Sequence, residues 1–273
     1  MIKLMSRDQG LISVGAYGLY GKNPLKACLE PFTTAQLTLE KTPRGYVRIK
    51  EGEIVRREET LATNPFRLTA AKHLAELYQI FLEEKNRDDE LYDLLVLGLQ
   101  EIGTSADLLA SLAIFRYRFL VLMGYAPALD FCARCAQSLA ETRVETSAQP
   151  KDGTRDQSRD EEERPAGMHT QALVFEYSHG GLLCPSCARL ARLEPGFVGT
   201  LVSPPGIALL RHVEACPLPQ LFQIKLSPSL TTRMVNIADR WLHMRNDRDY
   251  PAYEYLLELT NFAKDLGGDK DKK

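Results

Sequence analysis

Six cysteines occur in the chain, and the spacing of four of them could do chemistry. Cys132-Ala133-Arg134-Cys135 and Cys184-Pro185-Ser186-Cys187 are two Cys-x-x-Cys pairs. Two intervening residues let a tight turn aim both sulfurs at one point, so each pair is half of a tetrahedral site. Four thiolates are the donor set of a closed structural zinc ion, with zinc–sulfur bonds of about 2.3 Å. Gly180-Gly181 precede the second pair and Pro185 lies inside it, which writes a turn into the sequence. The rivals for this spacing are two redox-active dithiols, a disulfide framework and an iron–sulfur cluster. A four-cysteine site has no open coordination position, so one such ion holds the chain together and catalyses nothing. Cys28 and Cys216 stand alone and read as small buried apolar residues.

Little else is arranged for catalysis. The five histidines, His73, His169, His179, His212 and His243, are scattered, and no Ser-His-Asp or Cys-His set assembles around them. His179 lies five residues before Cys184 and could replace a thiolate, but four cysteines already satisfy an ion. No paired carboxylates stand out. The stretch from Gly15 to Lys26 holds three glycines, two tyrosines and two lysines, yet no Gly-Lys-Ser/Thr follows at phosphate-loop spacing. It reads either as a loop gripping nucleic acid or as a surface loop. A nucleobase deaminase, the zinc-enzyme alternative, needs a free coordination position and a nearby glutamate in a His-x-Glu motif, and neither is expected here. The chain is therefore expected not to be an enzyme.

The 273 residues (30.7 kDa, 44% hydrophobic, 26% charged, net charge -2) have ordinary globular composition, and the total charge names no partner. Its distribution is more informative. Residues 1–50 hold eight Lys/Arg against three acids, so a basic first segment sits on an acidic remainder and is placed to meet an anion. No run approaches the roughly 18 apolar residues of a membrane span, and Met1 to Arg7 lacks the apolar stretch of a secretory signal. Reduced thiols and a cytoplasmic location follow as expectations.

The elements that must position these groups change character along the chain. Residues 1–57 read as β: a strand over Leu11 to Tyr17, a second over Phe32 to Glu40, a turn at Lys41-Thr42-Pro43-Arg44-Gly45, and a third over Gly45 to Lys50. Short strands with Gly/Pro punctuation predict a small barrel. The third strand puts Val47 and Ile49 on one side and Tyr46, Arg48 and Lys50 on the other. An aromatic with two cations is the combination that stacks bases and neutralises phosphates, and it is equally an ordinary solvated face. From Asn64-Pro65 the period becomes helical, with apolar stripes through Leu68, Ala71, Leu74 and Tyr78, then through Leu91, Leu94, Leu95 and Leu99 after Asp88, then from Ser105 through Leu112, Phe115 and Phe119 to a stop at Gly124 and Pro127. Residues 141–170 carry eight acids and five bases with almost nothing apolar, which predicts a disordered insert. Ala172 to Tyr177 alternates as a strand leading to the second cysteine pair. Beyond Cys187 the pattern is helical to the end, with Trp241 at core spacing.

The order of these segments, basic β-domain, helical domain, Cys-x-x-Cys and Gly-Gly-Leu-Leu-Cys-x-x-Cys, resembles the RecO family of bacterial recombination mediators. Ser6-Arg7-Asp8-Gln9-Gly10-Leu11-Ile12 and Leu29-Glu30-Pro31-Phe32 are similar to family stretches, and Gly124-Tyr125-Ala126-Pro127-Ala128-Leu129-Asp130-Phe131-Cys132 strongly resembles the family's helix end leading into its zinc site. The resemblance implies an α+β chain: an N-terminal OB-fold-like small β-barrel over 1–60, a helical domain over 61–130 and 191–266, an inserted four-cysteine zinc finger over 131–190, and a tail at 267–273. It implies one structural Zn²⁺ on Cys132, Cys135, Cys184 and Cys187. It also implies binding of single- and double-stranded DNA, partnership with RecR and single-strand binding protein, indirect action on RecA, and a nucleoid-associated, cytoplasmic location. The DNA contacts so assigned are Arg7, Lys22, Lys26, Arg44, Arg48 and Lys50, with Tyr17, Tyr20 and Tyr46 as stackers. A zinc-stabilised protein–protein adaptor is the alternative. The sequence departs from the family in three places. It begins too late to supply a strand ahead of Ser6-Arg7, its loop at 15–26 is less basic, and the region around Asp247-Arg248-Asp249-Tyr250 is more acidic.

Overall fold

The computed structural model describes residues 1–15, 25–43, 45–139 and 172–268, with side chains of the last helix described to residue 261. The architecture is α+β, with small sheets at the N-terminus and a helical body beyond. β1 (Ile2–Ser6) and β2 (Gly10–Val14) pair antiparallel, Ile2 opposite Val14 and Ser6 opposite Gly10. β1 corrects the expectation of a missing strand ahead of Ser6-Arg7. Five residues suffice because the Arg7-Asp8-Gln9 turn folds them directly onto β2. A short helix, α1 (Leu25–Cys28), precedes β3 (Thr33–Lys41) and β4 (Val47–Arg57), which form a second antiparallel hairpin. β4 runs well past the expected end at Lys50. The two hairpins touch where the Gly15 N–H donates to the Val47 carbonyl at 2.8 Å, but no continuous ladder joins them among the described residues.

The helical body begins with α2 (Glu59–Thr63), unmarked in the sequence by any apolar period, and α3 (Pro65–Phe81). The Asn64 side chain accepts from the Phe66 and Arg67 N–H groups, so the expected cap holds the first turn. α4 (Asp89–Thr104) is capped by Asp88, and α5 (Leu108–Leu120) by Asp107. Ser105, expected to start the third helix, instead terminates α4. A single wide turn, Val121–Tyr125, then closes α5 at Gly124. The stretch Leu108–Tyr125 reaches a mean hydropathy of 1.4 over 18 residues, long and apolar enough to cross a membrane by composition alone, yet 61% of it is buried inside the fold. Ala110 to Leu120 are all buried, which makes α5 the axis of the body.

After the first cysteine pair the chain continues in β5 (Leu173–Glu176), β6 (Gly181–Leu183), α6 (Pro185–Ala191) and β7 (Gly199–Val202). The three strands form one antiparallel sheet in the order β6-β5-β7. β7 corrects the all-helical expectation beyond Cys187, since its four residues are extended only by pairing with β5, Leu173 opposite Val202. α7 (Pro204–Ala215), α8 (Pro228–Arg245) and α9 (Pro251–Gly268) complete the body. Trp241 is fully buried, as its spacing predicts, and joins the sheet to α5: Phe175 meets it edge-on at 5.6 Å and the Tyr117 ring lies 5.7 Å away.

α9 seals a polar knot against α3, α5 and α8. Arg116 is 1% exposed, pairs with Asp239 at 2.7 Å and lies 4.0 Å over the Tyr253 ring. His73, also fully buried, shares its Nδ1 with Glu76 at 3.0 Å, and the other Glu76 oxygen accepts from the Ala252 N–H at the start of α9. Burial, reinforced by the nearby Arg116 charge and opposed by Glu76, lowers the His73 pKa to about 4.

The N-terminal hairpin is locked onto this body. The Leu11 carbonyl accepts from the Lys85 N–H at 2.9 Å, Ser13 donates to Glu84, and Arg7 ion-pairs with Asp93. Gly10 has a φ of 70°, and a Cβ there would lie 2.1 Å from the Asn86 carbonyl oxygen.

Two outcomes are expected. Gly10→Ala must strain the backbone and push the hairpin off the 84–87 loop, lowering stability by at least about 2 kcal/mol in urea denaturation. For His73 the unfolded chain takes up a proton at a higher pH than the folded one. Stability is therefore lost as pH falls from about 6.5 toward 4, by up to roughly 3 kcal/mol. His73→Gln should remove that part of the pH slope, and an unchanged slope would refute the assignment.

Candidate metal centre

The first cysteine pair sits on a turn closed by backbone bonds. The Cys132 N–H donates to the Gln137 carbonyl at 2.8 Å, and the Ala136 N–H donates to the Cys132 carbonyl at 2.9 Å. Ala136 adopts a φ of 58°, the left-handed conformation that turns the chain back. The second pair is built differently, because Cys184 is the N-cap of α6 with Pro185 in the first turn. Burial raises the pKa of Cys184, against the opposing pull of the Cys187 N–H.

Backbone pairing brings the two halves together. The Ala128 N–H donates to the Gly180 carbonyl at 3.0 Å, the Leu182 N–H to Ala128 at 2.8 Å, and the Ala133 N–H to Leu182 at 2.8 Å. Gly181 is required for this approach, since a Cβ there would sit 2.6 Å from the Ala128 carbonyl oxygen. Arg211 reinforces the entry to the first turn, donating to the Leu129 carbonyl at 3.0 Å and pairing with Asp130 at 2.7 Å.

The result is four sulfurs within 4.8 Å of one another, so Cys132, Cys135, Cys184 and Cys187 could hold a metal ion. A tetrahedral ion about 2.3 Å from each sulfur spaces them about 3.8 Å apart. Cys135 Sγ and Cys184 Sγ are 3.8 Å apart. The Cys184 N–H donates to Cys132 Sγ at 3.3 Å, and the Cys187 N–H to Cys184 Sγ at 3.5 Å. Burial opposes ionisation of Cys132, but the N–H groups of Cys184, Cys135 and Arg134 outweigh it and bring its pKa down to about 6. Burial and the neighbouring sulfurs push Cys187 up to about 12. Metal binding at neutral pH must therefore displace a proton from Cys187.

The remaining candidates are dispersed. Tyr46 (64% exposed), Arg48 and Lys50 occupy alternate positions along the outer face leading into and along β4. Arg48 pairs with its cross-strand neighbour Glu40 at 2.9 Å, and Lys50 lies 3.9 Å from Glu51. Arg7 faces the helical body, paired with Asp93 and 4.8 Å from the Tyr92 ring centre. Lys26 is exposed on α1. Tyr17, Tyr20, Lys22 and Arg44, together with His169 and the 141–170 insert, lie outside the described residues. His179 bonds to Glu176 at 2.8 Å, and His243 to the Asp239 carbonyl at 3.0 Å. A His-x-Glu spacing does occur at His212-Val213-Glu214 in α7, but Glu214 accepts from Tyr117 and belongs to no sulfur site. Gly181 is the one local mark in the sequence of the pairing between 128–133 and 180–182, because that pairing joins distant stretches.

Replacing Cys187 with Ser should abolish stoichiometric metal binding, measured as metal per chain by atomic emission, and should lower the thermal midpoint. Retention of a full equivalent of metal by the variant would refute the site.

The chain's similarities agree with this arrangement. The family described as Recombination protein O C terminal matches residues 62–174, from α2 through the first cysteine pair to the start of β5. The DNA repair protein RecO of Bacillus pumilus is 23% identical over 272 residues, covering 98% of this chain and 91% of that protein. That of Roseiflexus sp. is 24% identical, covering 94% and 77%, and that of Anaeromyxobacter dehalogenans is 27% identical, covering 78% and 72%. Together with the paired cysteine turns, these matches make the chain similar to RecO DNA repair proteins along nearly its whole length.

Proposed function

We propose that this chain is a DNA-binding recombination mediator, working without catalytic turnover in the cytoplasm. In this reading it binds single- and double-stranded DNA, acts with RecR and single-strand binding protein to load RecA, and anneals strands. The observation that carries it is the row Tyr46, Arg48 and Lys50, exposed on a hairpin of a chain similar to RecO proteins. An OB-fold-like arrangement of the N-terminal strands would use that face to stack bases and neutralise phosphates. The carboxylates beside Arg48 and Lys50 do not forbid this. Both pairs are surface-exposed, worth roughly 0–1 kcal/mol, and give way to a phosphate.

The metal in this reading is one structural Zn²⁺. All four donors are soft sulfurs at tetrahedral spacing, and no fifth group enters the cluster among the described residues. When bound, zinc supplies cross-linking of distant chain segments and no reaction. The role of the protein around it is to aim backbone N–H groups at the sulfurs and to shield three of them from water.

A second reading, a zinc-stabilised adaptor that binds only proteins, is favoured by one observation. Leu190, Leu193 and Leu201 are 58%, 81% and 53% exposed on and beside the module that holds the cysteines.

Fluorescence anisotropy of labelled single-stranded DNA across a salt series separates the two. Affinity should fall between about 50 and 200 mM salt, as counterion release demands. Arg48→Glu with Lys50→Glu should weaken binding at least tenfold and flatten the salt dependence. Absence of any salt-dependent binding would overturn the mediator reading in favour of the adaptor.

A further inference from the structure

The four sulfurs are not equivalent. Cys132, Cys184 and Cys187 are only 2%, 3% and 8% exposed, whereas Cys135 is open to solvent. Backbone N–H groups donate to the Cys132 and Cys184 sulfurs, drawing off their electron density, while no backbone donor reaches Cys135 Sγ among the described residues. Zinc-bound thiolates remain nucleophiles, and accessibility selects which one an oxidant meets first. Across the two half-sites, Cys135 Sγ lies 3.8 Å from Cys184 Sγ, within reach of a bond after a small movement.

We propose that Cys135 is an oxidation site for hydroperoxides, and that Cys184 closes a disulfide onto it. The inference rests on the structural-zinc reading. The Cys135 thiolate attacks the terminal oxygen of hydrogen peroxide, the O–O bond breaks, and hydroxide leaves with sulfenic acid on Cys135. The Cys184 thiolate then attacks that sulfur, the S–O bond breaks and a second hydroxide leaves. Each hydroxide takes a proton from solvent. Two sulfurs are oxidised by two electrons in all, and one peroxide is reduced to two waters. Closing the bond requires the sulfurs to move from 3.8 Å to about 2.05 Å. Cys132 and Cys187 alone are two donors, too few to retain the ion. The disulfide joins the same two chain segments that the ion had joined, so the module stays cross-linked and reduction restores the site. Cys28 and Cys216, 6% and 4% exposed, serve as internal controls.

The test begins with purified full-length chain, whose zinc content is measured first. Metal-free folded protein would refute the zinc reading itself. With about one zinc present, titration with hydrogen peroxide is followed by a chromogenic zinc chelator and by peptide mass spectrometry. The expected result is release of one zinc per chain, a Cys135–Cys184 linked peptide, unmodified Cys28 and Cys216, and recovery with thiol reductant plus zinc. Cys135→His keeps four donors while removing the exposed thiol, and should bind zinc but release it at least tenfold more slowly. First modification at another cysteine, or equal release rates for wild type and Cys135→His, would overturn the proposal. If Cys135→His fails to hold zinc, the order of labelling in the wild-type chain decides it.

Discussion

Two pairs of sulfurs with 48 residues between them in the sequence have to meet within 4.8 Å, and much of the second half of the chain is arranged to let them. The meeting does not depend on the ion alone. Three backbone hydrogen bonds tie the loop from Ala128 to Ala133 onto the turn and strand from Gly180 to Leu182. The sheet carrying that turn is in its turn fixed by Phe175 on Trp241, and Trp241 by Tyr117 on the central helix. A metal bound here would close a geometry that packing has already brought within reach, so its binding energy goes into stability rather than into search.

The N-terminal hairpin is integrated in the same manner, through backbone rather than through large apolar area. Gly10 against Asn86, Leu11 against Lys85 and Arg7 against Asp93 leave it little freedom to swing relative to the helices. The β3–β4 hairpin meets this locked unit where the Gly15 N–H donates to the Val47 carbonyl. Arg7 is spent on the interface with the helices. Arg48 and Lys50 of β4 are held by the exposed carboxylates Glu40 and Glu51, the weaker kind of partner.

What could be read from the sequence was local. Paired cysteines, the Asn64-Pro65 cap, the Gly124 stop and the apolar stripe ending in Trp241 all act over a few residues, and all are realised. What escaped depends on partners far away. β7 is four residues that become a strand because β5 is there to pair with them, and β1 is five residues made regular by β2. Nothing near Arg7 announces Asp93, 86 positions later, and nothing near Arg116 announces Asp239. The polar knot under α9 is built from four separate stretches of sequence, each unremarkable alone.

The anchors on either side of residues 140–171 carry a practical meaning. Leu139 is fully buried and its N–H donates to the Asp130 carbonyl, while Leu173 is 3% exposed within β5. Both ends of the intervening segment are thus fixed, and the entropy of joining two fixed points rises only logarithmically with the length between them. A fluorescent or affinity domain grafted between these anchors should leave the sulfur cluster intact. That makes this junction the natural port for attaching a reporter to the protein.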